Sequence, residues 1–185
     1  MNKNIRQLLL LFFISTPLFF FAQSKSEYTQ IVNKFEEWKK DRYKKGIYAT
    51  ERNCDPDTVL KAGYKGPEMG IPIDIHISFT NINDDNKLDA IITFNPVQCD
   101  GGNALMNAQI RVLILSNSAG YAADDSYIDK IESQLKKGWI IIDGALYGSF
   151  YGTYYEYKDS DGRCCPSIKK PFSIDYKTKK LTFDN

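Results

Sequence analysis

The chain has 185 residues, of which 43% are hydrophobic and 25% are charged, and it has no low-complexity tract. That composition is typical of a globular protein. The formal net charge is only +1, so the chain as a whole has no electrostatic preference for nucleic acid, and we predict no nucleic-acid partner.

Residues 1–22 have the pattern of a secretory signal peptide. Lys3 and Arg6 supply a positive start, an apolar run broken by Pro17 follows, and a small residue closes the segment. The alternative is a retained membrane anchor, which the short and interrupted apolar run disfavours. We therefore predict export to the periplasm or the extracellular space, with no membrane span after cleavage. The remaining single domain, residues 23–185, carries a net charge of −1.

The first predicted element of the mature chain is an amphipathic helix. Ser24 and Glu27 have the spacing of a capping box, and Gly46 is a plausible end. Apolar residues recur at intervals of three and four: Tyr28, Ile31, Val32, Phe35 and Trp38. A basic polar face raises the alternative of a membrane-surface helix. Interspersed acidic residues dilute that face and favour packing on a sheet.

The rest of the chain predicts strands joined by short turns, with one short helix near residues 127–135. The predicted strands cover residues 71–79, 89–94, 108–115, 139–142, 152–157, 172–176 and 181–183. Short connections imply antiparallel pairing. We therefore predict an α+β fold in which the N-terminal helix packs on a curled, mainly antiparallel sheet of six or seven strands, tied by two disulfides.

Four cysteines supply those disulfides: Cys54, Cys99, Cys164 and Cys165. Cysteines in an exported chain favour disulfides over free thiols. We expect Cys54 and Cys99 each to bond one member of the adjacent pair, in an order that spacing alone does not give. A bond between the two adjacent cysteines would be strained. A zinc site is the other alternative, and no C-x-x-C spacing supports it.

A polar stretch, N-I-N-D-D-N-K-L-D, separates the first two predicted strands. Oxygen ligands recur at alternate positions: Asn81, Asn83, Asp85, the backbone carbonyl of Lys87, and Asp89. The stretch resembles the D-x-[DN]-x-D-G-x-x-D calcium loops of integrin-type propeller repeats. Asn81 replaces the first Asp and Asn86 replaces the Gly. Because only two of the ligands, Asp85 and Asp89, are carboxylates, we expect weak calcium binding, on the order of 10⁻⁴–10⁻³ M. The alternative is a plain polar hairpin tip.

Tyrosines are concentrated late in the chain, at Tyr147, Tyr151, Tyr154, Tyr155 and Tyr157. Such a group forms either a packed sheet face or a surface that binds a partner. His76 is the only histidine, and it falls on the polar side of a predicted strand. No nucleophile-elbow spacing accompanies it, so we predict no catalytic residue.

Three motifs occur in a fixed order: the N-D-D-N-K-L-D loop, the Cys99-Asp-Gly-Gly turn and the Cys164-Cys165-Pro-Ser loop. This order, over about Ile73 to Phe183, resembles small exported bacterial proteins of unknown function of the LppP/LprE lipoprotein type. The resemblance implies a secreted, disulfide-tied domain without an established activity. This chain lacks the lipid-anchoring cysteine of those lipoproteins, so membrane attachment does not carry over.

These observations predict an exported, non-catalytic binding domain that recognises an unknown protein or cell-envelope partner, with no cofactor other than a weakly bound calcium ion. The alternative is a periplasmic inhibitor or immunity-type protein that blocks a toxin or a hydrolase. A third hypothesis is an unrecognised hydrolase, which would require an activity that depends on His76 or Asp161.

Overall fold

The computed structural model describes residues 26–50, 54, 70–97, 109–162 and 165–184. The predicted signal peptide, Ser24, Cys99 and Cys164 lie outside the described residues. Within these ranges, no helix combines the length and the apolar character needed to cross a lipid bilayer.

The predicted N-terminal helix is present as α1, which spans residues 26–44. Its periodic apolar stripe buries Ile31, Phe35 and Trp38. Gly46 ends the helical segment with φ +70°, a left-handed conformation that glycine adopts without a steric penalty. The helix therefore presents one aromatic face to the rest of the molecule.

Two four-stranded antiparallel sheets follow. Sheet I contains β1 (Ile71–Thr80), β2 (Asp89–Val97), β3 (Ile110–Asn117) and β4 (Gly120–Asp124). A short helix, α2 (Tyr127–Glu132), leads to sheet II, which contains β5 (Trp139–Leu146), β6 (Ser149–Glu156), β7 (Ile168–Asp175) and β8 (Leu181–Phe183). In both sheets the strands pair in chain order, because short turns join antiparallel neighbours.

Sheet I is buried on both faces because apolar residues occupy both sides of its inner strands. On β2, Ile92 and Phe94 face α1 and pack with Phe35 in one core. Ile91 and Leu113 face the opposite way and pack against sheet II and α2 in a second core. Since alternate strand residues point to opposite faces, a run such as A-I-I-T-F supplies both cores at once. The layers are α1, sheet I and sheet II.

The predicted single curled sheet of six or seven strands is wrong: in the described part of the chain, eight strands form two separate sheets. β4 was not predicted, and β2 continues through Asn95 and Pro96, where a strand end was predicted. Alternation of apolar residues identifies individual strands, but it does not say which strands share a sheet. Neither described cysteine, Cys54 or Cys165, is a free thiol, but no disulfide joins these two, and the pairing predicted with Cys99 and Cys164 lies outside the described residues.

One edge of β5 pairs with β6. The other edge is hydrogen-bonded to side chains instead of to another strand. Gln109 donates to the Ile142 carbonyl (2.8 Å) and accepts from the Ile142 amide (2.7 Å). The same edge is bonded at three further positions: Arg111 and Glu132 at Ile140, Ser78 at Ala145, and Thr80 at Tyr147. These bonds satisfy backbone groups that an open edge would expose, and they join the two sheets along one seam.

Candidate functional site

A pocket of about 270 Å³ opens at this seam. Each strand beside it is irregular there: the β1 register shifts between Ile73 and His76, and the β5 register shifts between Ile142 and Gly144. Bulges of this kind bend strands and re-aim side chains, and they are common beside functional sites. The pocket is lined by His76, Ile77, Ser78, Ile91, Thr93, Asp143 and Gly144.

Thr93 supplies a buried hydroxyl that has no partner among the described residues. The residue is only 7% exposed. Its oxygen is nevertheless not sealed off, because the only enclosed, unbonded side-chain polar atom in the described part is Arg111 Nε. Thr93 is also one of the residues that line the pocket. A buried polar group without a protein partner is costly unless water or a ligand satisfies it.

The pocket holds a serine, a histidine and an aspartate, but they do not form a catalytic triad. Ser78 Oγ donates to the Ala145 carbonyl (3.3 Å) and accepts from the Ala145 amide (3.1 Å). A triad needs the serine bonded to the histidine and the histidine bonded to the acid. Neither contact is found in the described part of the chain. Ser78 joins the two strands, and His76 and Asp143 remain uncommitted groups at the pocket.

The predicted tyrosine group divides between the core and the surface. Tyr154 points inward and is 7% exposed, and its hydroxyl donates to the Lys137 carbonyl (3.0 Å) and Glu156 (2.6 Å). Burial and the Glu156 hydrogen bond raise the pKa of Tyr154 to about 12. Tyr151 lies on the opposite, outer face of the strand and is 46% exposed. Tyr154 therefore packs in the core, and we no longer include it among the predicted partner-binding residues.

The outer face of sheet II carries an aromatic cluster. Trp139 pairs with Tyr155 across β5 and β6, and their rings stack at 5.7 Å. Tyr157 adds a third ring, 5.3 Å from Trp139, and Lys169 places its ammonium 5.6 Å from the Tyr155 ring. We call Trp139, Tyr151, Tyr155 and Tyr157 the outer aromatic face. Stacked rings and a cation–π contact hold these side chains in fixed orientations.

Tyr147 occupies a different place, at the tip of the β5–β6 hairpin. The two-residue turn, Tyr147 and Gly148, has positive φ at both positions, 46° and 74°. That pattern suits a tight antiparallel hairpin, although a tyrosine adopts it reluctantly. The side chain is 87% exposed, and the neighbouring Leu146 is 56% exposed.

Asp89, one of the predicted calcium ligands, anchors the 81–89 loop from inside. It is fully buried. One carboxylate oxygen accepts from the Ile82 and Asn83 amides (2.8 and 3.1 Å), and the other accepts from the amide and hydroxyl of Ser116 (2.7 and 2.8 Å). To bind a cation, Asp89 would have to exchange some of these four bonds. Its observed role is to fix the loop against β3.

The other predicted ligands shape the outside of the same loop. Asn81 Oδ1 accepts from the Asp84 and Asp85 amides (2.8 and 3.2 Å). Asp85 accepts from the Lys87 amide (2.9 Å) and the Ser116 hydroxyl (2.7 Å). Partial burial raises the pKa of Asp85, but these bonds, an Asn83 contact and the Lys87 charge outweigh burial and hold it below its ordinary value of 3.8.

The loop has the left-handed residue that the calcium pattern requires, since Asn86 has φ 63°. Asp84 has φ 66° as well, and its carboxylate pairs with Lys177 (2.7 Å). The described residues contain no group of three or more histidine, cysteine, aspartate or glutamate side chains placed to hold a metal ion, and the asparagine ligands predicted in the loop are not among these residue types. Calcium binding by the loop stays a prediction, in which Asp85 is the exposed carboxylate.

Neither the spacing of residues nor their type marked Thr93 and Asp143 as site residues. Both occur in strands, where threonine is common. The sequence feature that could have indicated this pocket is Asp143-Gly144. An acid and a glycine interrupt the apolar run of β5 there, and such an interruption suggests a bulge. The pairing of that bulge with the irregularity in β1 depends on which strands become neighbours.

Near the Cys164–Cys165 motif, Asp161 shapes a turn. Its Oδ2 accepts from the Lys158 and Ser167 amides (2.7 and 2.8 Å), and these bonds lower its pKa. Neither described cysteine, Cys54 or Cys165, is a free thiol. The resemblance to LppP/LprE-type proteins stays a prediction from motifs. Comparison of the chain with family models, with curated proteins and with solved structures finds no match.

Proposed function

We propose that the chain is an exported, non-catalytic binding domain whose contact surface is the outer aromatic face of sheet II. The observation that carries this proposal is the contrast between exposed Tyr151 and Tyr157, at 46% and 37%, and the buried rings of Phe35 and Phe94 on the other side of the molecule. Fixed, half-exposed aromatic side chains are the residue type that contributes most to binding at protein interfaces.

The arrangement of that face supports a binding role. Stacking of Trp139 on Tyr155 and the position of Lys169 above Tyr155 limit the freedom of the rings before a partner arrives. Side chains that are already ordered lose less conformational entropy on binding. A basic residue at the rim adds polar contact around an apolar centre, as interfaces commonly have.

Export is supported by the leader-like segment 1–22 and by the absence of a free thiol at Cys54 and Cys165. The resemblance to small exported lipoprotein-like proteins points the same way. The predicted partner is therefore a protein or another component of the cell envelope.

The proposal can be tested by capture of partners from the envelope fraction of the source cell, with the mature chain as bait. The variant Tyr151→Ser/Tyr155→Ser removes two rings of the outer aromatic face. Tyr28→Ser is a matched control, because Tyr28 is 41% exposed but packs its ring against Phe79 on the opposite side of the molecule.

We expect a stoichiometric partner that binds the wild type and the Tyr28 variant and is lost from the double variant. An equal yield with the double variant, while its melting temperature matches that of the wild type, would exclude this face as the contact surface. Binding of no partner by any of the three proteins would contradict the proposed function itself.

The alternative function, inhibition of a toxin or hydrolase, is favoured by the hairpin tip. Tyr147 protrudes at 87% exposure on a tight turn, a shape suited to insertion into a cleft. Under this alternative, Tyr147→Ser weakens binding of the captured partner more than Tyr151→Ser does. The measurement is a dissociation constant for each variant with the same partner.

The calcium prediction has its own test, the melting temperature of the mature chain with excess calcium and then with a chelator. A ligand that binds only the folded state at 100 times its dissociation constant adds about 2.7 kcal/mol, equivalent to several degrees. Asp85→Ala should abolish the shift. An unchanged melting temperature of the wild type at millimolar calcium would make the loop a purely structural hairpin.

A further inference from the structure

We propose that the seam pocket between β1 and β5 binds a single sugar ring, as a free monosaccharide or the terminal unit of a glycan. This site adjoins the outer aromatic face at Tyr151, but its key residues, Thr93 and Asp143, take no part in the function proposed above. The inference starts from the pocket that the β1 and β5 irregularities open.

The polar groups of the pocket are available to a ligand. Thr93 is more than nine-tenths buried, lines the pocket and has no hydrogen-bond partner among the described residues. Asp143 and His76 are likewise in no hydrogen bond or ion pair with the described part of the chain. Together they offer a carboxylate that only accepts, an imidazole, and a hydroxyl that both donates and accepts.

The lining also has an apolar side. Ile91 contributes a hydrocarbon wall, whereas the Ile77 side chain packs on the α1 side of sheet I, and Gly144 presents backbone without a side chain. A Cβ atom at Gly144 would lie 2.6 Å from the Tyr151 hydroxyl and 3.4 Å from Ser78 Oγ. The Tyr151 side chain therefore reaches the position beside the pocket, where an aromatic ring adds an apolar contact.

A sugar ring matches this mixture better than other small ligands. Each of its hydroxyls donates and accepts, which suits Asp143 and Thr93 together, and its C–H groups suit Ile91. An anion would be repelled by Asp143, and a purely apolar ligand would leave the Thr93 hydroxyl unsatisfied. The volume of about 270 Å³ lies just below the usual range for ligand pockets, roughly 300–1,000 Å³, so we limit the ligand to one ring.

The experiment is a titration of the isotope-labelled mature chain, residues 23–185, with glucose, galactose, mannose and N-acetylglucosamine at millimolar concentration. Methylammonium chloride is titrated separately as a small cation. The readout is the chemical shift of each backbone amide. We expect at least one sugar to shift amides around His76 and Gly144, while methylammonium shifts neither.

Two pocket variants and one control locate the binding. Thr93→Val keeps the side-chain shape and should weaken sugar binding about fivefold or more, and Asp143→Asn should weaken it about tenfold. Thr182→Val, on β8 away from the pocket, should leave the affinity unchanged. Thr93→Val should also fold with an unchanged melting temperature, because its hydroxyl has no protein partner.

Four results would overturn the inference: no sugar shifts the pocket amides, shifts survive both pocket variants, only methylammonium shifts the pocket amides, or Thr93→Val loses stability as a bonded threonine would. The outcome is independent of the proposed function. Tyr155→Ser should lose the protein or envelope partner and keep the sugar-induced shifts, whereas Thr93→Val should do the opposite.

Discussion

Sheet I and sheet II have the same topology and differ in what covers their outer faces. On sheet I, α1 buries Phe35 and Trp38 against Phe94, at exposures of 8% or less. On sheet II, Tyr151 and Tyr157 point outward from a face where Trp139 and Tyr155 are also partly exposed. An aromatic face that is covered contributes stability, and one that is open is available for contact.

The two sheets also differ in their buried polar groups. All five described buried polar side chains belong to sheet I: Thr80, Asp89, Thr93, Arg111 and Ser116. Four of them make bonds to the β5 edge or to the 81–89 loop, and Thr93 is the exception. Sheet I is therefore the framework on which the loop and the second sheet are held, and Thr93, the buried polar side chain that makes none of these bonds, lies at the pocket.

The largest expected effect compares the two outer faces directly. Phe35→Ala removes a ring that is 3% exposed and packed against Trp38 and Phe94, and it should lower the free energy of unfolding by about 3–5 kcal/mol. Tyr151→Ala should change it by less than about 1 kcal/mol. Urea denaturation of both variants measures the difference. Similar losses would show that the outer aromatic face is part of the core.

A slightly smaller effect separates the inside of the 81–89 loop from its outside. Asp89→Ala leaves the Ile82 and Ser116 amides without their acceptor in a buried site, so we expect a loss of about 3 kcal/mol. Asp85→Ala removes contacts at an exposed position and should lower the stability by about 1 kcal/mol or less. Equal losses in chelator-treated protein would contradict the anchoring role of Asp89.

The next largest effect tests Thr93, the buried threonine of sheet I whose hydroxyl has no hydrogen-bond partner among the described residues. Thr80→Val removes the hydroxyl that accepts from the Tyr147 amide (3.2 Å), and it should lower the free energy of unfolding by about 1 kcal/mol. Thr93→Val removes an unpartnered hydroxyl of similar burial, 7% against 9% exposed, and should be neutral. Thermal melts of the two variants provide the comparison, and Thr80→Val should melt at the lower temperature. The reverse order would contradict this prediction.

The smallest expected effect is absent at neutral pH and appears only in alkaline solution. Burial raises the pKa of Tyr127 and Tyr154 to about 12, above the unfolded value of about 10. Because the folded state favours the neutral phenols, their contribution is complete below pH 10 and is lost as the pH rises towards 12. We expect Tyr154→Phe to be less sensitive than the wild type to pH between 10 and 12, measured by urea denaturation. A steeper loss in the variant would contradict this assignment.

Local patterns along the chain predicted the elements that are regular. The spacing of Ile31, Phe35 and Trp38 predicted α1 and its buried face, and Gly46 predicted its end. Alternation predicted parts of seven of the eight strands and failed where a bulge interrupts it. At Ile73 and Ile75 the expected alternation breaks, and both residues are about 40% exposed.

The candidate sites, like the fold, combine features that the local sequence predicts with features that depend on distant residues. The polar loop at residues 81–89 was evident in the sequence, because its composition is local. The burial of Asp89 was not, since it depends on Ser116, 27 residues later. The tyrosine group was evident too, but only the β5–β6 register separates inward Tyr154 from outward Tyr151 and Tyr155.

The sequence by itself therefore determined the position of α1, the approximate strands, and the polar and aromatic character of two segments, because each depends on near neighbours in the chain. Among the described residues, the tertiary structure decided that the strands form two sheets, that α1 covers the outer face of sheet I, and that Thr93 and Asp143 share a pocket. Those features depend on contacts between residues about 50 positions apart, which local periodicity does not encode.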